Sequence, residues 1–445
     1  MNGPTCKLKL VQYDKIPILT SVYGRSFIAD YLPRLVDSIL AEALRSSGAV
    51  LVKGPKWCGK TATSERQSKS AVFLQDPDRG ESLIELANTK PSLLLRGAEP
   101  RLIDEWQEAP KLWDAVRFAL DREYAPGRFI LTGSATPGKK PKHSGVGRIA
   151  RLVMGTMSLF ESQESTGVIS LKALFEGAGD IGAIASKDVE DYARMICRGG
   201  WPRAVVEPDA TVALRMAPNY VDELLDSDID GLDDKRRNTT WLRRILRSYA
   251  RNISTEAPLS TIAADMGGDP PSMPTVSDYV DALARAHVFQ DLPAWNPQLR
   301  SKTAVRTSPT RHFSDPSIAA AVMGWTPEKL LQDFNTFGLL FESLCVRDLR
   351  AYAQTLGASV YHYRDKTDLE ADAVVVLPDG RWAPIGVKLG SRPLDEAAAH
   401  LKRLAERVDH ERMGAPAFLM VLTGTQAAYR RPDGVFVVPL ACLGA

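Results

Sequence analysis

The feature that most constrains this chain is an apolar run, Gly48-Ala-Val-Leu-Val-Lys53, leading straight into Gly54-Pro-Lys-Trp-Cys-Gly59-Lys60-Thr61. A short apolar run of this kind suits a strand buried on both faces of a parallel sheet. The segment after it is a full G-x-x-x-x-G-K-T match. Its glycines let backbone N–H groups curl around a β-phosphate, its lysine neutralises β- and γ-phosphates, and its threonine hydroxyl ligates Mg²⁺ above a helix N-terminus. The expected phosphate-binding residues are Gly54, Pro55, Lys56, Trp57, Cys58, Gly59, Lys60, Thr61 and Ala62, with Thr61 also a metal ligand. ATP with Mg²⁺ is the expected ligand.

Hydrolysis further requires a carboxylate behind the metal and a group that positions water, both at the end of a neighbouring strand. Arg101-Leu-Ile-Asp104-Glu105 supplies the pair: Asp104 for the Mg²⁺ and Glu105 for the attacking water. Lys111 to Arg122 places Leu112, Val116 and Leu120 on one helix face. The next strand, Arg128 to Thr132, ends in Gly133-Ser134, so Thr132 or Ser134 is a candidate polar sensor between γ-phosphate and water. Strand, P-loop, helix, strand, helix, acidic strand and sensor strand together spell an α/β sandwich around a parallel sheet.

Length adds that one core is not enough, because 445 residues exceed what a single core accommodates. With 56 Lys plus Arg against 54 Asp plus Glu, the molecule is no polycation, so any nucleic-acid contact must be a local patch. Five scattered cysteines fit neither a disulfide framework nor paired metal ligands, which points to a reducing cytoplasm. No uncharged apolar run approaches the roughly 18 residues of a membrane span, so no membrane partner is expected.

With these residues in hand, the chain resembles the bacterial and archaeal AAA-type ATPases that carry a C-terminal domain of unknown function. The resemblance rests on Tyr31-Leu-Pro-Arg34, the P-loop, Asp104-Glu-Trp-Gln107 with Pro110, Leu131-Thr-Gly-Ser134 and Gly147-Arg148-Ile149-Ala150-Arg151. It implies that Arg148, or failing it Arg151, is an arginine finger, acting within the chain or from a neighbouring subunit. The family's P-loop commonly carries smaller or aliphatic residues where this chain has Trp57 and Cys58. Both are expected to point outward, and a helix N-terminus with Lys60 nearby favours a reactive Cys58 thiolate. Arg198-Gly-Gly-Trp201-Pro202 resembles a Gly-Gly-aromatic-Pro turn of the same family.

The rest of the chain is expected to form further units: an N-terminal extension over 1–30, the AAA-type domain over 31–162, a Gly/Ser-rich linker over 162–186 with a short helix, a helical and winged-helix-like region over 187–300, and an α/β restriction-endonuclease-like domain over 310–445. Acid-rich helices are expected over Tyr220 to Asp230. Trp241–Arg251, Leu259–Met266 and Thr275–Ala286 would be the three helices of the winged-helix-like module, with Val288–Trp295 as its wing strand. DNA contact through this module and a role as a packing lid over the ATPase domain are both open, and Asp278 and Asp281 make its third helix a poor surface for phosphates. In the C-terminal part a helix starting at Phe341 and strands near 359–364, 370–377, 382–389, 417–423 and 434–439 place Glu342, Asp372 and Lys388 as in a nuclease core. Gly386 stands where that core needs a carboxylate, and Glu370 is the nearest substitute. The expected function is an ATPase that moves a nuclease-like domain; the alternatives are a nucleic-acid-processing enzyme with residual metal-dependent cleavage and an ATP-binding regulatory module without turnover. A homo-oligomer or a protein partner is open in each.

Overall fold

The computed structural model describes residues 31–134, 145–228, 237–299 and 305–445; the expected N-terminal extension lies outside them, as do the last two residues of the acid-rich stretch ending at Asp230. The first sheet has five parallel strands: β1 (Ala49–Lys53), β2 (Ser70–Phe73), β3 (Arg101–Asp104), β4 (Phe129–Gly133) and β5 (Ile149–Val153), in the order β2-β3-β4-β1-β5. Side chains alternate across a strand, so β1 sends Val50 and Val52 to one face and Ala49 and Leu51 to the other. Val36, Leu40 and Leu44 of helix Leu35–Ser46 join the first core, which also holds Leu102 and Ile130. Leu112, Trp113, Val116 and Leu120 of helix Lys111–Arg122 join the second, with Ile103 and Leu131. The apolar run from Ala49 to Val52 is what a strand covered on both faces requires.

The segment expected to be a linker is instead stitched to the far end of the chain. It forms β6 (Ile169–Ser170), helix Leu171–Phe175 and β7 (Ala183–Ile184). The C-terminal strands are β8 (Ser359–Arg364), β9 (Glu370–Val376), β10 (Trp382–Lys388), β11 (Met420–Thr423), β12 (Ala427–Arg430), β13 (Phe436–Pro439) and β14 (Leu443–Gly444). They make a mixed seven-stranded sheet, β7-β12-β13-β11-β10-β9-β8, with β14 paired to β6 beside it. Short two-residue strands carry too little periodicity to be read from sequence, which is why this pairing was not foreseen.

Between the sheets lies the helical region. Its expected helices form over Thr239–Arg251, Leu259–Asp265 and Met273–Arg285, and Phe289 and Leu292 bridge antiparallel to Phe313 and Thr310. The helix carrying Glu342 starts at Phe334, earlier than expected, where Asp333 accepts from Thr336 N–H as its cap. One continuous core joins Tyr192, Trp201, Ile245 and Phe313 of the helical region to Phe341, Ala373, Ile385 and Met420. Helix Leu394–Arg407 covers the opposite face of the mixed sheet with Leu401 and Leu404. Among the described residues no helix is long and apolar enough to cross a membrane.

Candidate functional site

Strand β1 delivers the chain into the P-loop, and helix Lys60–Gln67 leaves it with Gly59 at its N-cap, φ +99°. Gly54 lies so close to the exit of β5 that a β-carbon there would sit 2.0 Å from the Met154 carbonyl oxygen. Only glycine fits that approach. The Lys60 ammonium is almost buried and donates to the carbonyl of Pro55 in its own loop, at 2.8 Å.

Two strands on in sequence, and separated from β1 in the sheet by β4, strand β3 ends at Asp104. Its Oδ1 accepts from the Thr61 hydroxyl at 3.0 Å and from the Thr132 hydroxyl at 2.5 Å. Thr132 is fully buried on β4 and turned toward this carboxylate, and it accepts from Glu105 N–H at 3.1 Å. Burial pushes the Asp104 carboxyl above its usual range, with Glu105 adding to that, while Thr132, Thr61 and the Lys60 charge oppose it. Hydroxyl and carboxylate oxygens meeting at one point are the donors a hard cation prefers, so Thr61 and Asp104 suit Mg²⁺.

Glu105 has a left-handed backbone, φ +53°, which turns its side chain back over the end of β4. There it accepts from Gln107 Nε2, and from both the N–H and the hydroxyl of Ser134 at 3.3 Å. Thr61, Asp104, Glu105, Thr132 and Ser134 therefore share one cluster beside the P-loop.

Arg148 does not join them. It precedes β5, whose first residue pairs with Ala49, the first residue of β1, whereas the P-loop follows the last. The guanidinium is exposed and bonds Asp121 at 2.7 Å and the Val146 carbonyl at 3.1 Å. A finger role within the chain is excluded by this placement at the opposite end of the sheet. Arg151 lies further along β5 opposite Leu51, and its charge, after burial, helps depress the Lys53 ammonium.

The two unusual P-loop residues also divide. Cys58 is fully buried among Val36, Val52 and Met154, and its thiol donates to the Met154 carbonyl at 3.6 Å, so the outward, reactive placement expected for it does not hold. Trp57 is 44% exposed at φ +64°, and its ring meets Tyr220 edge-on at 5.7 Å. Tyr220 in turn stacks on Trp201 at 4.5 Å. The phosphate loop thus rests on the helical region through an aromatic stack.

Residues 46–163 match the family model described as an AAA domain. This part of the chain is an AAA-type P-loop ATPase domain. Residues 189–329 and 337–443 match two models described as domains of unknown function, DUF8612 and DUF4143. The chain is 26% identical over 358 residues to uncharacterized protein Rv2008c of Mycobacterium tuberculosis and to uncharacterized protein Mb2031c of Mycobacterium bovis, covering 80% of this chain and 73% of each relative. Among solved structures it is similar to the Walker-type ATPase PABY2304 of Pyrococcus abyssi, at 15% identity over 66% of this chain and 96% of that one, TM-score 0.40. The Aeropyrum pernix ORC1 protein in complex with DNA is also similar, at 15% identity over 69% and 95%, TM-score 0.21.

A buried polar chain, only one member of which drew notice in the sequence, links the P-loop to the C-terminal helix. Arg34 donates to the carbonyls of Cys58 at 2.8 Å and Gly155 at 2.9 Å, and pairs with Glu161 at 3.0 Å. Burial works against the Glu161 charge, but Arg34 and the N–H groups of Ser158 and Leu35 hold its carboxyl below the usual range. Within the same segment, Leu159 N–H donates to Asp348 at 2.9 Å and Thr156 to Asp315 at 2.7 Å. Arg347 joins those two acids, 2.7 Å from Asp348 and 3.0 Å from Asp315. Glu161 gave no local signal, because its partner lies 127 residues away.

In the C-terminal part, Glu370, Asp372, Gly386 and Lys388 line one pocket with Glu396 and His400 of helix Leu394–Arg407. Asp372 accepts from Val387 N–H at 2.6 Å and lies 3.6 Å from the Lys388 ammonium. Burial and the neighbouring Asp372 raise the Glu342 carboxyl well above its usual range. A β-carbon at Gly386 would have Asp372 Oδ2 at 3.9 Å and Ala397 at 3.7 Å as neighbours, so the missing carboxylate is not a matter of space. Glu370, the nearest substitute, pairs with Arg364 at 3.6 Å. Among the described residues, no group of three or more His, Cys, Asp or Glu side chains is placed to hold a metal ion.

Proposed function

We propose that the chain binds and hydrolyses ATP with Mg²⁺ and uses the cycle to reposition its C-terminal sheet domain. The observation that carries the reading is the Asp104 carboxylate gathered onto the P-loop threonine, with Glu105 directly after it at the end of β3. Lys60 would exchange the Pro55 carbonyl for β- and γ-phosphate oxygens. Thr61 and Asp104 would hold Mg²⁺, which supplies charge neutralisation at the phosphates when bound. Thr132 fixes the Asp104 carboxylate, and Ser134 with Gln107 restrains Glu105 until it orients the attacking water. An arginine finger at Arg148 would require a second copy of the chain.

Movement reaches the C-terminal domain through Trp57 on Tyr220, and through Arg34, Glu161, Asp348, Arg347 and Asp315, since both routes begin at the phosphate loop. DNA contact is less supported. Of the basic helix, Arg251 already pairs with Asp265 at 2.7 Å and Arg244 bonds the Gly267 carbonyl at 3.4 Å.

Phosphate release and nucleotide titration on the wild type and Lys60→Ala test the reading. Steady release by the wild type, lost in the variant along with about 100-fold or more in affinity, is the expected result. Nucleotide held without phosphate release would leave a regulatory module instead, and no binding would sink the assignment.

A further inference from the structure

Glu105 is held by one of its two carboxylate oxygens. Gln107 Nε2, the Ser134 N–H and the Ser134 hydroxyl all donate to Oε2, and Oε1 takes none of these bonds. Gln107 stands in a single 3₁₀ turn, Trp106–Glu108, which Glu105 opens with its left-handed backbone. A carboxamide has a donor end and an acceptor end. The donor end of Gln107 is on Glu105; its acceptor, Oε1, is buried and has no partner among the described residues.

Trp106 presents the converse. It is 3% exposed, and its indole Nε1, which can only donate, is buried without a partner among the described residues. Both atoms lie against Gly133, the last residue of β4: a β-carbon there would stand 2.8 Å from Gln107 Oε1 and 3.2 Å from Trp106 Nε1. Gly133 has no left-handed backbone that would call for glycine, so what its missing side chain provides is room for the amide. A buried donor and a buried acceptor facing one glycine, each without a bond, are uncommon in folded proteins, because both gave up water to be there. The Trp106 ring is packed on Trp113, centroids 5.0 Å apart, which leaves the amide as the part that can turn.

We propose that Trp106, Gln107 and Gly133 form a positioning chain for hydrolysis: with nucleotide bound, the Trp106 indole N–H donates to Gln107 Oε1, the amide is thereby fixed with its Nε2 on Glu105 Oε2, and Glu105 Oε1 is left to accept a hydrogen bond from the attacking water. This rests on the ATPase reading above and extends it to residues that the reaction does not touch. Gly133 makes space for the amide, Trp106 orients it, and both act on turnover only through Glu105.

The informative variants are Trp106→Phe, which removes the indole N–H and keeps an aromatic ring, and Gly133→Ala, whose methyl group crowds the amide. In steady-state phosphate release by the full chain with ATP and Mg²⁺, each is expected to lower kcat about fivefold while KM and the calorimetric affinity for AMP-PNP stay within about twofold. Combined with Glu105→Gln, each is expected to lower kcat no further, because a chain that acts through Glu105 has nothing left to orient. A merely structural role would show the reverse, a further fall of about fivefold on top of Glu105→Gln. That further fall, normal turnover in either single variant, or a rise in KM in place of the fall in kcat overturns the proposal while the ATPase reading stands. A wild type that binds AMP-PNP but releases no phosphate overturns the reading and the proposal with it. Should a variant not fold, nitrogen-labelled wild type decides by magnetic resonance: the Trp106 indole N–H signal is expected to move when AMP-PNP and Mg²⁺ are added, and an unmoved signal overturns the proposal.

Discussion

The nucleotide site and the C-terminal pocket each bring a lysine and carboxylates to the ends of strands, and they differ in what the lysine does. In the first, Lys60 bonds its own loop at Pro55 and leaves Asp104 facing two hydroxyl groups. In the second, Lys388 stands 3.6 Å from Asp372, which also accepts a backbone N–H, so the carboxylate is already neutralised. The first arrangement waits for a cation and an anion together; the second satisfies itself. Similar residue types therefore predict different chemistry once their partners are known, and composition of a pocket is a poorer guide than its bonding.

The largest expected effect comes from the link between these regions. Asp315→Ala leaves the buried Arg347 with half its counter-charge, and chemical denaturation is expected to show a loss of about 3–5 kcal/mol. A loss under about 1 kcal/mol would mean that the buried chain contributes little to the join.

Next in size, Glu105→Gln is expected to slow phosphate release about tenfold or more while nucleotide affinity stays within about twofold, because only water positioning is lost. Equal turnover in variant and wild type would remove Glu105 from the site and blur the contrast with the C-terminal pocket.

The C-terminal acids are expected to behave in the opposite sense. Glu342 binds a proton more readily in the folded protein than its ordinary value of 4.5 would give, owing first to burial and then to Asp372. The folded state therefore holds more protons than the unfolded chain above that value, and this group's contribution to stability declines as pH rises through the window. Glu342→Gln should raise Tm at neutral pH by about 2–4 °C, and the gain should vanish near pH 4. A fall in Tm at neutral pH would show instead that the charge of Glu342 is used.

The smallest effect is an expected absence of reaction. In native, nucleotide-free protein, a thiol alkylator should leave Cys58 unmodified, since the sulfur is fully buried beneath the loop and donates to Met154. Peptide mapping that finds Cys58 alkylated before unfolding would restore the reactive thiol expected from its position in the motif.

What the sequence by itself determined is what short-range chemistry dictates. The P-loop, the Asp104-Glu105 pair and helix Lys111–Arg122 were legible because glycine spacing, a carboxylate pair after an apolar run and a helical stripe are properties of neighbours in the chain. Strands β8 to β10 were legible for the same reason. Tertiary structure alone decided the rest. It put Cys58 inward and Arg148 at the far end of its sheet, because a side chain's direction depends on which elements pack around the loop. It drew β6 and β7 into the C-terminal strands and joined Arg34 to Glu161, pairings between residues far apart in sequence that no local pattern marks. Contacts of that kind are selected by the whole packed core, in which each pairing is stable only when the others form with it.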